Sequence, residues 1–217
     1  MTVHAVDFER PTPAEIEALS ALPPVTLHEV IGQKGAMPGC IKPIYPGMRL
    51  CGPAFTVDCR PGDNLAIHAA VAAARPGDVL VVDYKGFAES GPFGDILATA
   101  CVARGVVGMV IDGCVRDGPA IRAMGFPIFA RGLNMKGTTK LAPGAVGVPI
   151  TCAGVPVAPG DAVVGDDDGV VVVPRALVAA ACRAARERED KEASMRERLR
   201  AGATTVDLLN LRPLLGG

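Results

Sequence analysis

Residues 63–83 read DNLAIHAAVAAARPGDVLVVD. Asp63 is a candidate N-cap for an alanine-rich helix over Asn64–Ala74, which Arg75-Pro76-Gly77 stops. The chain then turns straight into Asp78–Asp83, an apolar run between polar ends and the pattern of a buried strand. The alternation continues in both directions. A strand spans Leu50–Asp58 upstream. Downstream come helix Gly94–Arg104, strand Val106–Ile111, short helix Gly118–Met124 and strand Pro127–Ala130. Such alternation predicts a mixed, layered α/β fold.

The flanks add to this frame. Thr12–Leu22 reads as a short helix stopped by Pro23-Pro24, and Thr26 with Glu29 fits a capping box for a second helix ending near Gly32. A loop rich in Gly and Pro follows, up to Gly47. From residue 143 the pattern changes to short β segments: Val146–Ile150, Cys152–Val157, Asp161–Gly165 and Val170–Val173. A long helix, Ala176–Arg200, closes the chain, and twelve of its residues between 183 and 200 are charged. One domain, residues 1–217, with a protruding terminal helix is the simplest account.

Composition bounds the function. The 217 residues are 49% hydrophobic and 21% charged, which suits one good-sized core. Aromatics are 4% with no Trp, so that core must come from Val, Ala, Leu and Ile. A net charge of -1 offers no basic field for nucleic acid or anionic lipid. No apolar run approaches the roughly 20 residues of a membrane span, and no signal peptide is recognisable. Seven Cys (40, 51, 59, 101, 114, 152 and 182) form no CxxC pair, which favours free, buried thiols in a reducing cytoplasm. His4, His28 and His68 are too scattered to suggest a metal cluster.

Two stretches could carry chemistry. In Gly91-Pro92-Phe93-Gly94-Asp95-Ile96-Leu97, two glycines and a proline lead into a helix whose first N–H groups could receive a carboxylate or phosphate. The plainer alternative is a helix start with an acidic first turn. In Asp112-Gly113-Cys114-Val115-Arg116-Asp117-Gly118, Arg116 and Asp117 follow the carboxyl end of a strand, where α/β sheets bind ligands. A guanidinium there can hold a carboxylate or enolate, and a carboxylate can hold Mg²⁺ or Mn²⁺. The alternative is a surface ion pair or a helix cap. Twenty residues separate Asp95 from Arg116, enough for one helix and one strand, so both loops could open on one edge.

Asp95, a twenty-residue interval, then Arg116-Asp117 resembles the signature of the metal-dependent 4-hydroxy-4-methyl-2-oxoglutarate/4-carboxy-4-hydroxy-2-oxoadipate aldolases, which share a fold with the regulator of ribonuclease activity A. The likeness extends through IKPIYPGMRLCGPAFTV (41–57), PGDNLAIHAAVAAARPGDVLVVD (61–83), IDGCVRDGPAI (111–121), FPIFARG (126–132) and GDDDGVVVVP (165–174), and covers about residues 25–210. It implies an α/β/β sandwich of the swivelling phosphohistidine-domain-like type. Carried over by position, it implies that Asp117 is the one side chain on a Mg²⁺ or Mn²⁺ ion. The backbone of Gly94, Asp95, Ile96 and Leu97 would receive a pyruvate carboxylate, and Arg116 would stabilise charge on the keto oxygen. Glu192, on a terminal helix from a neighbouring subunit, best matches the family's acidic residue there, and Asp95, Glu192 or a metal-bound water would manage protons in a homotrimer or homohexamer. One departure is Ala120, where some members carry an acid.

The resemblance implies cleavage of a 4-hydroxy-2-oxo acid to pyruvate, and oxaloacetate decarboxylation is expected as a second reaction because breaking its C3–C4 bond gives the same pyruvate enolate. A non-enzymatic regulator that binds an RNA-degrading enzyme is the rival reading. Lys85, Lys136 and Lys140 would permit a Schiff-base mechanism, though nothing around them marks a desolvated lysine. His68 reads as a packed or half-exposed helix residue. Asp166-Asp167-Asp168-Gly169 reads as a turn between strands, without the spaced ligands of a calcium loop.

Overall fold

The computed structural model describes residues 6–215. His4 lies outside them. Helix α1 (Pro13–Ser20) opens with a complete capping box, in which the Thr12 hydroxyl accepts the Glu15 N–H and the Glu15 carboxylate accepts the Thr12 N–H. Helix α2 (Pro24–Val30) begins two residues before the expected Thr26 cap. Proline suits the first helical position, so Pro23-Pro24 both ends one helix and starts the next. Thr26 is buried inside α2, and its hydroxyl donates to Glu189 Oε1 at 2.5 Å.

The middle of the chain follows the predicted alternation: β1 (Lys42–Pro43), β2 (Leu50–Asp58), α3 (Leu65–Ala73), β3 (Val79–Asp83), α4 (Asp95–Ala103), β4 (Gly108–Ile111), β5 (Cys114–Val115), α5 (Gly118–Met124), β6 (Ile128–Ala130) and β7 (Gly132–Leu133). Strands β6, β4, β3 and β2 are parallel neighbours. Then come β8 (Ala145–Val146), β9 (Ile150–Cys152), β10 (Val155–Val157), β11 (Ala162–Asp166) and β12 (Gly169–Val173). The β11–β12 hairpin extends the sheet from the first half of β2, and β8 pairs with the last two residues of the same edge. Val146–Ile150 and Cys152–Val157 are therefore not the single strands expected. Ala153-Gly154, both at positive φ, turn the chain between β9 and β10 to make a hairpin.

The Gly/Pro loop has a structural purpose. Lys42–Pro43 pairs with β6 at one edge, while Gly35 and Met37 exchange backbone hydrogen bonds with Val172 and Val170 at the other. The loop thus nearly closes the sheet on itself. Gly35 is required there: at φ +73 it lies so close to β12 that a Cβ would fall 2.1 Å from the Val172 carbonyl oxygen.

Because the strands are covered on both faces, they read as unbroken apolar runs. Leu80 and Val82 pack with α3, α4 and α5, whereas Val79 and Val81 point into the sheet interior with Phe129, Val163 and the β9–β10 hairpin. On the far side, Val171 and Val173 meet α1, α2 and the terminal helix α6 (Val178–Arg200). The expectation that this helix is too polar for the core holds only past Ala185. Val178, Ala181, Cys182 and Ala185 are buried on its own chain, and only the later turns extend from that layer. A short helix α7 (Thr205–Leu208) follows. The cysteines are free, five of them buried, with Cys40 exposed. Burial pushes the Cys51, Cys59 and Cys101 thiols up to about 12. The acidic run at 166–168 is the β11–β12 turn, as expected.

Candidate active site

The two predicted loops meet. The Arg116 N–H donates to the Phe93 carbonyl at 2.9 Å, which lays the β5–α5 connection against the start of α4. Across that contact the Asp95 N–H donates to Asp117 Oδ2 at 3.2 Å, and Arg116 Nε lies 3.4 Å from the same oxygen. Asp117 occupies the cap position of α5 without capping it. Its carboxylate turns to α4, and its backbone sits in the left-handed region at φ 57, ψ 34. A non-glycine residue held there costs about 1 kcal/mol or more, a strain often found at functional sites. The helix-cap alternative for Asp117 is thereby set aside. Gly94 explains how close the carboxylate can come: a Cβ there would lie 2.2 Å from Asp117 Oδ2.

Of the expected site residues, Gly94, Asp95, Arg116 and Asp117 are brought together. Gly94 caps α4 with no side-chain bond, which leaves the helix terminus to its backbone groups. Asp95 Oδ1 accepts the Ile96 N–H at 2.8 Å, so this carboxylate covers one of the N–H groups that the sequence resemblance gives to a substrate carboxylate. The Ile96 side chain is exposed and that of Leu97 is core, so only their backbones can serve. Glu192 is not brought to this place within the chain. It lies on α6 between Arg188 (2.9 Å) and Arg196 (3.3 Å), in the layer with α1 and α2.

Sequence reasoning missed the third wall. Residues 134–141 run beside Arg116 and Gly91: the Gly91 N–H donates to the Lys136 carbonyl, the Asn134 N–H to Val115, and the Asn134 amide to Ala88. Gly91 has no room for a Cβ, which would meet the Asn134 carbonyl oxygen at 2.3 Å. A backbone-to-backbone contact of this kind leaves no residue-type signal except the glycine itself.

Lys85 and Lys136 are both ion-paired, which does not suit a Schiff base. Lys85 bridges Asp58 at 2.7 Å and Asp83; burial would lower its pKa, but the two carboxylates outweigh that and raise it. Lys136 is ion-paired to Glu89 on the surface at 2.7 Å. His68 is held below its usual range by burial and by the charge of Lys140. Among the described residues no three His, Cys, Asp or Glu side chains are grouped to hold a metal. The site offers a cation the half-exposed Asp117 carboxylate, whose donors gather on Oδ2, while the neighbouring Asp95 carboxylate is turned to the Ile96 N–H. That donor set fits a hard ion which keeps several waters, such as Mg²⁺, and not a caged one.

A family model described as RraA-like, Aldolase/RraA, matches residues 14–172. A Halalkalibacterium halodurans protein provisionally named as a 4-hydroxy-4-methyl-2-oxoglutarate aldolase is 39% identical over 165 residues, 75% of this chain and 79% of its own length. Among solved structures, Streptomyces coelicolor RraAS2, described as an unusual member of the RNase ES inhibitor RraA protein family, superimposes with a TM-score of 0.80 at 33% identity, covering 88% of this chain and 99% of that one. An uncharacterized protein from Pseudomonas syringae pv. tomato gives 0.83 at 31% identity, covering 94% and 96%.

Proposed function

The chain belongs to the Aldolase/RraA family, and from that premise we propose that it is a lyase that cleaves a 4-hydroxy-2-oxo diacid or triacid to pyruvate and a second 2-oxo acid. The preferred substrate is 4-carboxy-4-hydroxy-2-oxoadipate, giving pyruvate and oxaloacetate, with 4-hydroxy-4-methyl-2-oxoglutarate as the close alternative. The observation that carries the proposal is the convergence of Arg116 and the α4 N-terminus on the Asp117 carboxylate at the sheet edge.

In this reading the α4 backbone from Gly94 to Leu97 receives the pyruvyl carboxylate once Asp95 releases the Ile96 N–H, favoured by the partial positive charge of the helix end. Arg116 faces the 2-oxo group and stabilises the negative charge that grows on its oxygen as C3–C4 breaks. Asp117 would hold Mg²⁺ or Mn²⁺, which when bound neutralises charge on the 2-oxo acid. Asp95, freed from Ile96, or Glu192 of a neighbouring copy in a trimer or hexamer takes the C4 hydroxyl proton and returns a proton to C3 of the enolate, releasing pyruvate. Oxaloacetate would lose carbon dioxide at the same place, since breaking its C3–C4 bond yields the same pyruvate enolate. Neither nucleic acid nor membrane is a partner in this reading, and a reducing cytoplasm is its setting.

The test is pyruvate release from both hydroxy acids with Mg²⁺ or Mn²⁺, then with EDTA. Activity that survives complete chelation would defeat the metal-assisted mechanism. The likeness to RraAS2 favours a second reading, a regulator that acts by binding an RNA-degrading enzyme. No pyruvate release with either metal, together with tight ribonuclease binding, would move the assignment there.

A further inference from the structure

Asp63 is 2% exposed, yet it is surrounded by donors from a distant part of the chain. Its Oδ2 accepts the Thr139 hydroxyl and the Leu141 N–H, both at 2.6 Å, and its Oδ1 accepts the Leu65 N–H at 2.8 Å. Thr139 is clasped further: its N–H donates to the Gly62 carbonyl and its own carbonyl accepts the Asn64 N–H. The segment so fixed is the end of the 134–141 wall, whose other end bonds Gly91 and lies against Arg116.

The same two residues reach the opposite wall. The buried Asn64 amide donates to the Pro92 carbonyl at 2.7 Å, inside the loop that opens α4. The Gly62 N–H donates to the Tyr84 hydroxyl, which pairs with Ser90 at 2.9 Å, next to Gly91. One short segment, residues 62–64, therefore grips both sides of the Gly91–Gly94 loop. Thr12 and Glu15 show by contrast what an ordinary helix start looks like here: an exposed pair three residues apart that binds nothing remote.

We propose that Asp63 is a positioning residue of the active site, its buried carboxylate holding the 134–141 wall so that Gly91–Gly94 and Arg116 stay in register for the 2-oxo acid. The proposal rests on the aldolase reading for its ligand, but not for its mechanics. Asp63 meets no substrate; it acts through Thr139 and Leu141. Because the wall bonds Gly91, just ahead of the Gly94–Leu97 backbone that would receive the carboxylate, its loss weakens binding more than it slows bond breakage, so KM moves more than kcat.

The experiment compares Asp63→Asn and Thr139→Val with the full-length wild type and with Glu89→Gln, which breaks only the exposed Lys136 pair. Amide exchange at Gly91 and Leu141 is measured beside KM and kcat for 4-carboxy-4-hydroxy-2-oxoadipate. Asp63→Asn should speed exchange at both amides about tenfold or more, the effect of one lost charge-assisted hydrogen bond, and raise KM about tenfold with a smaller fall in kcat. Thr139→Val keeps the carboxylate and should move the same quantities in the same direction by less, which decides the matter if Asp63→Asn does not fold. Glu89→Gln should move none of them. Faster exchange at Leu141 with Gly91 and KM unchanged would overturn the proposal. If the wild type itself releases no pyruvate, the aldolase reading falls, and exchange at Gly91 alone still decides whether Asp63 positions the site.

Discussion

Two arginine–aspartate pairs, whose aspartates are five residues apart in the chain that follows β4, are built in opposite ways. Arg131 Nε meets Asp112 Oδ1 at 2.6 Å, with the carboxylate buried, and the Arg131 N–H donates to the Gly113 carbonyl. The hydrogen bond to Asp112 raises the Arg131 pKa, which holds the guanidinium in its charged form. It ties the β4–β5 link to the β6–β7 link. Arg116 and Asp117 meet only at 3.4 Å and are about 40% exposed on both sides, at 43% and 38%. The first pair is closed at 2.6 Å with its carboxylate buried. The second is open, and its Asp sits in a strained backbone conformation that turns the carboxylate to α4.

The contrast breaks most sharply at Asp117. Asp117→Ala should lower metal-dependent pyruvate release by about a thousandfold or more, the scale expected when a site loses its electrostatic centre. It should stay folded and lose only about 1 kcal/mol in urea unfolding, since the half-exposed carboxylate packs little and Ala suits the positive φ slightly less than Asp. Wild-type turnover at ordinary Mg²⁺ would remove Asp117 from the site. Arg116→Lys should follow at about a hundredfold, because an ammonium cannot reproduce the planar, two-pronged contact. Near-normal kcat in that variant would place the charge stabilisation elsewhere.

The closed pair should respond the other way. Asp112→Ala leaves a partly buried guanidinium without its partner and should cost about 3 kcal/mol of stability, read from urea unfolding. The folded fraction should keep its specific activity within a few-fold. A stable but inactive Asp112→Ala would mean that both pairs serve the chemistry.

How legible this was differs along the chain. The strands of the parallel sheet could be read because burial on both faces leaves apolar runs bounded by Asp, Gly and Pro, as at 78–83. Arg116, Asp117 and the start of α4 were legible because chain order places them on one edge. The β9–β10 hairpin was not, since Ala153 at positive φ looks like any alanine in a β segment. The inner half of α6 was hidden by charge: the buried Val178, Ala181, Cys182 and Ala185 precede a run so polar that it dominates the reading. Asp63 looked like a cap. Its long-range partners Thr139 and Leu141 are 76 and 78 residues away, and no local pattern reports them.

Asp63 sharpens the comparison as a third case, closed like Asp112 but attached to the open site, and its predicted effect is the smallest. Burial alone would raise its pKa, but the donors from Leu141, Thr139 and Leu65 outweigh that and hold it to about 2, against 3.8 for an ordinary Asp. A carboxyl group with a depressed folded pKa stabilises the protein fully above the unfolded value and loses that stabilisation as pH falls through the folded one. The contribution should therefore be complete above about pH 5 and fade between about pH 4 and pH 2, by about 2 kcal/mol in all. Asp63→Asn cannot titrate. The wild type should be the more stable of the two at pH 6, and its advantage should shrink by about that amount by pH 2, as measured by urea unfolding at each pH. An advantage that stays constant down to pH 2 would mean that the carboxylate holds the wall by shape alone, and that its charge is not what fixes Thr139 and Leu141.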